Sequence, residues 1–414
     1  MILSDKGLRV RAVSDVTIPP AEGMSVERLR TIIQDSHLSF LIGAGSSAQF
    51  LAPLGNVEKV LTEVAGTDTA ATIARASVQG YFFRSVIEPN ARLLEPDDDN
   101  AKALIRSYAE FVGVVNRILL KRRSTLLSKQ ASFFTTNIDM AFEVAMEMLE
   151  VDYNDGFAGK LRPRLDLGSF GTLRYREGLR YEYRSEIPVL NLLKLHGSVG
   201  WLLRDGELYF DQGLTTVGRV KRAFDDSVND LVPISRPTDV DSASLRAKAS
   251  HLKRTAALRK FAASYSRLQI VNPEKTKFAS TVLNKTYYEL LRRFSNELEK
   301  ENSALLVHGF SFRDEHILDL VLRAAGVNPT LQVVVFCYDA KSHADIASLF
   351  PPERVKNGNV CLVRPAAAER SADERRLSLD VVVEDFLRPI LMDAEPIADH
   401  IIELRLAGGE DPSA

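Results

Sequence analysis

The sequence predicts a doubly wound α/β fold built on a mostly parallel sheet, and three observations predict it. Short, near-continuous apolar runs recur along the chain, longer helical patterns separate several of them, and the runs end in Gly, Asn, His or Pro. Apolar runs of this length suit strands buried on both faces, as the strands of parallel sheets are. Their alternation with helices is the signature of βαβ units.

Taken in order, the runs are His37–Gly45, Ala131–Asn137, Ile187–Gly197, Arg267–Pro273, Ser303–Phe310, Leu331–Asp339 and Asn359–Val363. Helical patterns cover Met140–Glu150, Thr286–Glu301 and Glu315–Ala325. Two stretches interrupt the alternation. Residues from about 55 to 130 read as mostly helical, too long for a single crossover. Residues from about 201 to 263 open on WLLRDGELYFDQG, a hairpin turning at Asp205–Gly206, and continue into the helix-prone segment Asp241–Ala263. Both read as insertions on one core spanning 31–390. An N-terminal extension (1–30) and a C-terminal tail (391–414) flank it, and the tail's GGEDPSA end reads as disordered.

Composition narrows the class. The chain has 414 residues, 45% hydrophobic and 26% charged, enough for a sizeable buried core. With 53 basic and 55 acidic residues the formal net charge is −2, which argues against general polyanion binding, so no direct nucleic-acid contact is expected. The two cysteines, Cys337 and Cys361, lie in apolar runs and read as buried thiols. Without a CxxC pair or a Cys/His cluster, no metal site is expected. Low cysteine use fits a reducing cytoplasm. The N-terminus carries no signal-peptide core, and no apolar run reaches the roughly 20 residues of a membrane helix.

Four motifs carry chemistry. Gly43-Ala44-Gly45-Ser46-Ser47 follows the first apolar run and fits a G-x-G-x-x-A turn. Such glycines let backbone amides approach a pyrophosphate at a helix N-terminus, although a tight turn without ligand has the same spacing. TTNID (Thr135–Asp139) ends the second run. The Asn137 amide there can orient a water and a sugar hydroxyl; helix capping by Asn137 or Asp139 is the alternative. KLHGS (Lys194–Ser198) places His196 at a strand end, where imidazole can move a proton or orient a hydroxyl, or serve as a satisfied core histidine. HGFSFRDEHI (His308–Ile317) sets Gly309 at a strand end and Asp314 or Glu315 at a helix start, where an acidic residue complements the helix dipole. In a parallel sheet, the C-terminal ends of four strands lie along one edge and share a crevice.

GAGSS, TTNID, KLHGS and GFSFRDEH, in this order, resemble the sirtuin (silent information regulator) superfamily. With YNDGF (Tyr153–Phe157) and VNPEK (Val271–Lys275), the chain most resembles bacterial sirtuin-like NAD-hydrolysing proteins of anti-phage defence. That resemblance implies NAD as substrate. Gly43, Ala44, Gly45, Ser46 and Ser47 would hold its diphosphate, with Thr136 in the same cleft. Asn137 would sit beside the nicotinamide ribose, and His196 would contact ribose hydroxyls or act as base. Asp139 would support the Asn137 turn, Asn272 would lie near the adenosine, and Gly309 and Ser311 would line the second half of the cleft.

The departures point away from acyl-lysine chemistry. Deacylases of the superfamily carry a four-cysteine zinc module after the HG motif and an Ile-Pro-Asp-Phe-Arg loop after the glycines. Here only two distant cysteines follow, and the loop reads AQFLAPLGN (Ala48–Asn56). The expectation is therefore a cytoplasmic NAD glycohydrolase releasing nicotinamide and ADP-ribose. A deacylase or ADP-ribosyltransferase, or a non-catalytic NAD or ADP-ribose sensor, are the alternatives. The resemblance also implies a homo-oligomer and a HerA/FtsK-like hexameric ATPase as partner. The chain itself has no G-x-x-x-x-G-K-[ST] motif.

Overall fold

The computed structural model describes residues 23–51, 57–64, 66–122, 124, 126–178, 184–235, 241–271, 285–365 and 376–391. Its strands, in chain order, are β1 (His37–Ile42), β2 (Gln130–Thr135), β3 (Tyr153–Asn154), β4 (Phe157–Ala158), β5 (Arg164–Leu165), β6 (Arg174–Glu177), β7 (Arg184–Ile187), β8 (Val189–Lys194), β9 (Trp201–Arg204), β10 (Glu207–Phe210), β11 (Ser303–His308), β12 (Gln332–Phe336) and β13 (Val360–Val363). Seven form one sheet in the order β13-β12-β11-β1-β2-β8-β3, and every neighbouring pair is parallel.

Alternate residues of these strands feed two cores. Phe40, Phe133, Leu192 and Leu306 pack under the helices Val26–Gln34, Asp99–Lys121 and Ala141–Met148. Leu41, Phe134, Leu193 and Val307 face the helices Lys285–Glu299 and Glu315–Val327. Helices on both faces explain why the strands read as unbroken apolar runs, and the fold is doubly wound α/β. An aromatic cluster seats the longest helix: Phe111 meets Phe40 and Phe133 edge-on at 5.3 and 5.5 Å, while those two rings stack at 5.0 Å.

The structure corrects three expectations. The Arg267–Pro273 run adds no strand to the sheet. Ile270 forms only an isolated antiparallel bridge to Gly197, and Asn272 and Pro273 lie outside the described residues. This run spends its backbone on the turn after β8 instead: Gln269 O accepts from Ser198 N at 3.1 Å and Val271 N donates to His196 O at 2.8 Å. The edge beyond β8 is taken by β3, two residues long and too short to show a period. The core also starts earlier than residue 31, because Val26–Gln34 is a helix capped by Ser25 with Leu29 and Ile33 buried. Cys337 is buried but Cys361 is half-buried, with its Sγ 3.0 Å from Gly23 O; both thiols are free.

The two insertions share one core. Ile73, Val78 and Phe83 from the first pack with Val220, Phe224 and Phe261 from the second. Ile138, Met140 and Val199, from the turns after β2 and β8, belong to the same cluster. The β9–β10 hairpin turns at Asp205 (φ 52°) and Gly206 (φ 80°), the backbone that a two-residue type I′ turn needs. It joins a four-stranded antiparallel sheet, β4-β5-β10-β9. Asp99–Lys121, although part of the first insertion by sequence, packs on the main sheet. Among the described residues, no helix is long and apolar enough to cross a membrane.

Winding reverses between β1 and β11, since the chain runs from β1 toward β2 and β8 and from β11 toward β12 and β13. The turns at this switch point touch backbone to backbone. A Cβ on Gly43 would lie 2.5 Å from Gly309 O and 2.7 Å from Phe310 Cα. A Cβ on Gly309 (φ 65°) would lie 2.4 Å from Ser46 N. Gly309→Ala is expected to cost about 2–5 kcal/mol, from left-handed backbone plus overpacking. Gly171→Ala, at φ 93° with nothing within 4 Å, should cost only about 1–2 kcal/mol. Urea unfolding of the two variants measures the difference, and equal losses would refute the packing account.

Candidate functional site

The four motif-bearing strands are contiguous in the sheet, in the order β11-β1-β2-β8. Their register sets them level. Ile42 pairs with both His308 and Thr135, and Thr135 pairs with Lys194. Gly43 and Gly309 are therefore the first residues beyond one row, and Asn137 and His196 the second, at the C-terminal edge where open sheets bind ligands. Ala44, Gly45 and Ser311 are exposed on this edge, whereas Thr136, His196 and Gly309 are half-buried. Thr136 joins the row by its backbone, donating from N to Ile42 O at 3.3 Å.

Asn137 is 6% exposed and does not cap a helix. Its Nδ2 faces Gly43 O at 3.1 Å, Ser47 Oγ at 3.2 Å and the Tyr108 hydroxyl at 3.2 Å. Asp139 serves the following helix, its Oδ1 accepting from Ala141 N at 3.1 Å, while its Oδ2 accepts from Ser47 Oγ at 2.9 Å. Proton count then sets the direction of the network. A carbonyl oxygen only accepts, and the single Ser47 proton goes to the carboxylate. The Tyr108 hydroxyl, 2.8 Å from Ser47 Oγ, therefore donates to it, and Asn137 must present its NH2 inward. This leaves Asn137 Oδ1 pointing the other way, buried and without a protein partner. The amide can thus offer a ligand an acceptor only, not the donor and acceptor together that the sequence allowed. Burial and the nearby Asp139 carboxylate push the Tyr108 phenol up, so it stays a donor.

The serines of the glycine turn also face inward. Ser46 Oγ lies 2.7 Å from His308 Nδ1, and His308 Nε2 lies 3.1 Å from Leu377 O. A carbonyl requires a proton on Nε2, so Nδ1 accepts from Ser46. With Gly43 N bonded to His308 O (3.0 Å), Gly45 N to Gly309 O (2.8 Å) and Ser46 N to Gly43 O (3.0 Å), the turn spends most of its polar groups on the protein. The hydroxyls of both serines expected at the diphosphate have protein partners, Ser46 Oγ at His308 and Ser47 Oγ at Asp139 and Tyr108. What the turn offers outward is its exposed crest, Ala44–Gly45.

On the other side of the crevice, His196 Nε2 lies 3.1 Å from Asp314 Oδ2, with the imidazole 20% exposed and the carboxylate 7%. Two residues upstream, buried Lys194 pairs with Glu143 at 3.1 Å and also donates from Nζ to Asp139 O, tying the KLHGS strand to the TTNID turn. Burial pushes the Glu143 carboxyl up to about 7 against the pull of Lys194. Asn90, fully buried in the first insertion, accepts from Met140 N through Oδ1 at 3.0 Å and so fixes the other end of that turn.

The structure thus brings the turns carrying Gly43, Gly45, Asn137, His196 and Gly309 together. Asn272 lies outside the described residues. Tyr108, Asn90, Lys194 and Glu143 were not singled out by sequence, and Asp314 was read only as a helix-start acid. Of these, Lys194 and Glu143 carry a signal in the sequence: a charge inside the apolar run NLLKLHG and another on the apolar face of AFEVAMEM.

Burial depresses His308 to about 4, from 6.5 in the unfolded chain. Below pH 6.5 the unfolded chain gains a proton that the folded chain refuses. Stability from this residue is therefore complete above pH 6.5 and declines as pH falls toward 4, by about 3 kcal/mol in all. His308→Gln can keep both hydrogen bonds without titrating, so its unfolding free energy should fall less steeply over that window; parallel wild-type and variant curves would contradict this. Neither protein-family models nor curated proteins give any match to this chain.

Proposed function

We propose that the protein is an NAD glycohydrolase that cleaves the nicotinamide–ribose bond at the β11-β1-β2-β8 edge. The observation that carries this reading is Asn137: a buried amide whose nitrogen is committed to the protein and whose oxygen is left unpartnered beside the glycine turn. An unsatisfied buried acceptor costs about 1–3 kcal/mol, so this oxygen is disposed to take a hydrogen bond from a donor placed beside it. A water or a ribose hydroxyl is such a donor. The four-motif resemblance to sirtuin-like NAD-hydrolysing proteins supports the choice of NAD.

The chemistry asks little of the protein beyond placement. The pyridinium leaving group is already cationic. As its bond to the ribose carbon breaks, the electron pair returns to the ring nitrogen and neutral nicotinamide departs without a general acid. Water adds to the oxocarbenium-like carbon and gives ADP-ribose. Asn137 Oδ1 holds that water or the adjacent hydroxyl in line, a positional contribution. His196 accepts the water's proton, an assistance that typically gives about 10²–10⁴-fold.

An enzyme that depletes NAD must be silent in an undisturbed cell. That need supports control through self-association or through a HerA/FtsK-like hexameric ATPase partner, in a cytoplasmic anti-phage setting.

The test is NAD consumption by purified protein, alone and with the products of neighbouring genes. Wild type is expected to release nicotinamide and free ADP-ribose, and Asn137→Ala and His196→Ala to remain folded with turnover at least 100-fold lower. ADP-ribose appearing only on an acceptor would favour a transferase. Tight NAD binding with no nicotinamide released under any condition would favour a sensor. Wild-type turnover in both variants removes the assignment.

A further inference from the structure

We infer that Asp314 is a positioning residue that decides which nitrogen of His196 is basic. The inference rests on reading this edge as an NAD-cleaving site, but its first consequence is measurable without any substrate.

Asp314 is 8% exposed and uses its two oxygens on different elements. Oδ1 accepts from His316 N at 3.2 Å, an ordinary helix cap. Oδ2 lies 3.1 Å from His196 Nε2, on the turn after β8, so the contact spans β1 and β2 to join the two ends of the crevice. Capping requires only the first oxygen. A carboxylate has no proton to give, so a neutral imidazole bonded to it carries its proton on Nε2 and its lone pair on Nδ1. The opposite tautomer would set lone pair against lone pair.

The loop that delivers Asp314 carries strain of its own. Phe312, two residues earlier, has φ 56°, a left-handed conformation costly for a bulky residue. It is held there by edge-on packing against Phe310 and Phe350, each at 5.0 Å, with its side chain 1% exposed. Conformations of this kind persist where the surroundings over-determine them, and they cluster at functional sites. The backbone on the far side is equally fixed, since His196 O accepts from Val271 N and Gly197 N donates to Lys194 O. Imidazole and carboxylate are thus presented to each other by two independently braced turns.

In the reaction, the bond from water oxygen to the ribose carbon forms as a water proton passes to His196 Nδ1. The imidazolium produced is stabilised by the Asp314 carboxylate and later loses its proton to solvent. Asp314 touches neither NAD nor the water; it acts through His196.

Asp314→Asn separates this role from capping. The asparagine can still accept from His316 N, but it turns an NH2 toward Nε2, which must then accept, and the imidazole proton moves to Nδ1. Nitrogen-15 imidazole spectra, with His196 assigned by its disappearance in His196→Ala, should show Nε2–H in wild type and Nδ1–H in Asp314→Asn. NAD binding should change less than about threefold, while nicotinamide release falls about 100-fold or more. Asp314→Ala, which also loses the cap, should melt lower than the asparagine variant. An Nδ1–H wild type, one tautomer in both proteins, or undiminished turnover in Asp314→Asn each overturns the inference. If wild type releases no nicotinamide under any condition, the proposed function fails, whereas the tautomer measurement still decides the role of Asp314.

Discussion

The molecule depends on a contact made almost entirely of backbone. At the switch point, Gly43 and Gly45 lie against Gly309 so closely that any Cβ would collide with a carbonyl or an amide nitrogen. Three further bonds follow from that approach: Gly45 N to Gly309 O, Gly43 N to His308 O, and Ser46 Oγ to His308 Nδ1. The turn after β1 is thereby fixed relative to the turn after β11, and Gly43 O comes within reach of Asn137. A glycine pattern familiar from phosphate cradles here serves first to let two turns share one space. Any ligand role sits on the exposed crest that remains.

Above this contact lies a buried polar layer that is expensive to build. Asn137, Ser47, Asp139, Tyr108, Lys194 and Glu143 are all buried. Each unmet hydrogen bond there costs more than a met one returns. Nearly every polar atom of the layer is matched, and the two acceptors that are not have a pattern. Asn137 Oδ1 and Glu143 Oε2 lack partners, and both belong to the segment leaving β2. Lys194 holds that segment down through Glu143 and the Asp139 carbonyl. A buried ion pair is a poor source of net stability, because desolvation offsets the attraction. Its position makes better sense as a clamp between the two turns that carry Asn137 and His196.

Much of this architecture was legible in the sequence, for reasons that can be named. Strands buried on both faces have no alternative to apolar runs, so six of the seven runs mark six of the seven sheet strands. The seventh run misled because Leu268 and Ile270 are apolar for another purpose, packing into the insertion core while their backbone braces the His196 turn. The two-residue strand β3 exceeded the resolution of any periodicity. Asn137 and His196 were visible because a polar residue ending an apolar run is anomalous. Tyr108 was not, since a tyrosine on the apolar face of Asp99–Lys121 looks like packing, and it does pack, edge-on to Phe142 at 4.8 Å. Asp314 was hidden by its second occupation: an acid at a helix start already has an explanation, and only the fold shows that one of its oxygens reaches another turn.

The shared core of the insertions bears on how such a protein can vary. Asn90 holds the backbone of the TTNID turn, and Tyr108, from the helix that follows, orients its amide. Ile138, Met140 and Val199 sink into the same apolar cluster as helices from both inserted segments. The additions are not ornaments that could be trimmed back to a bare parallel sheet and its flanking helices. Shortening either one would remove packing from beneath the turns after β2 and β8, which rest on that shared cluster through Ile138, Met140 and Val199.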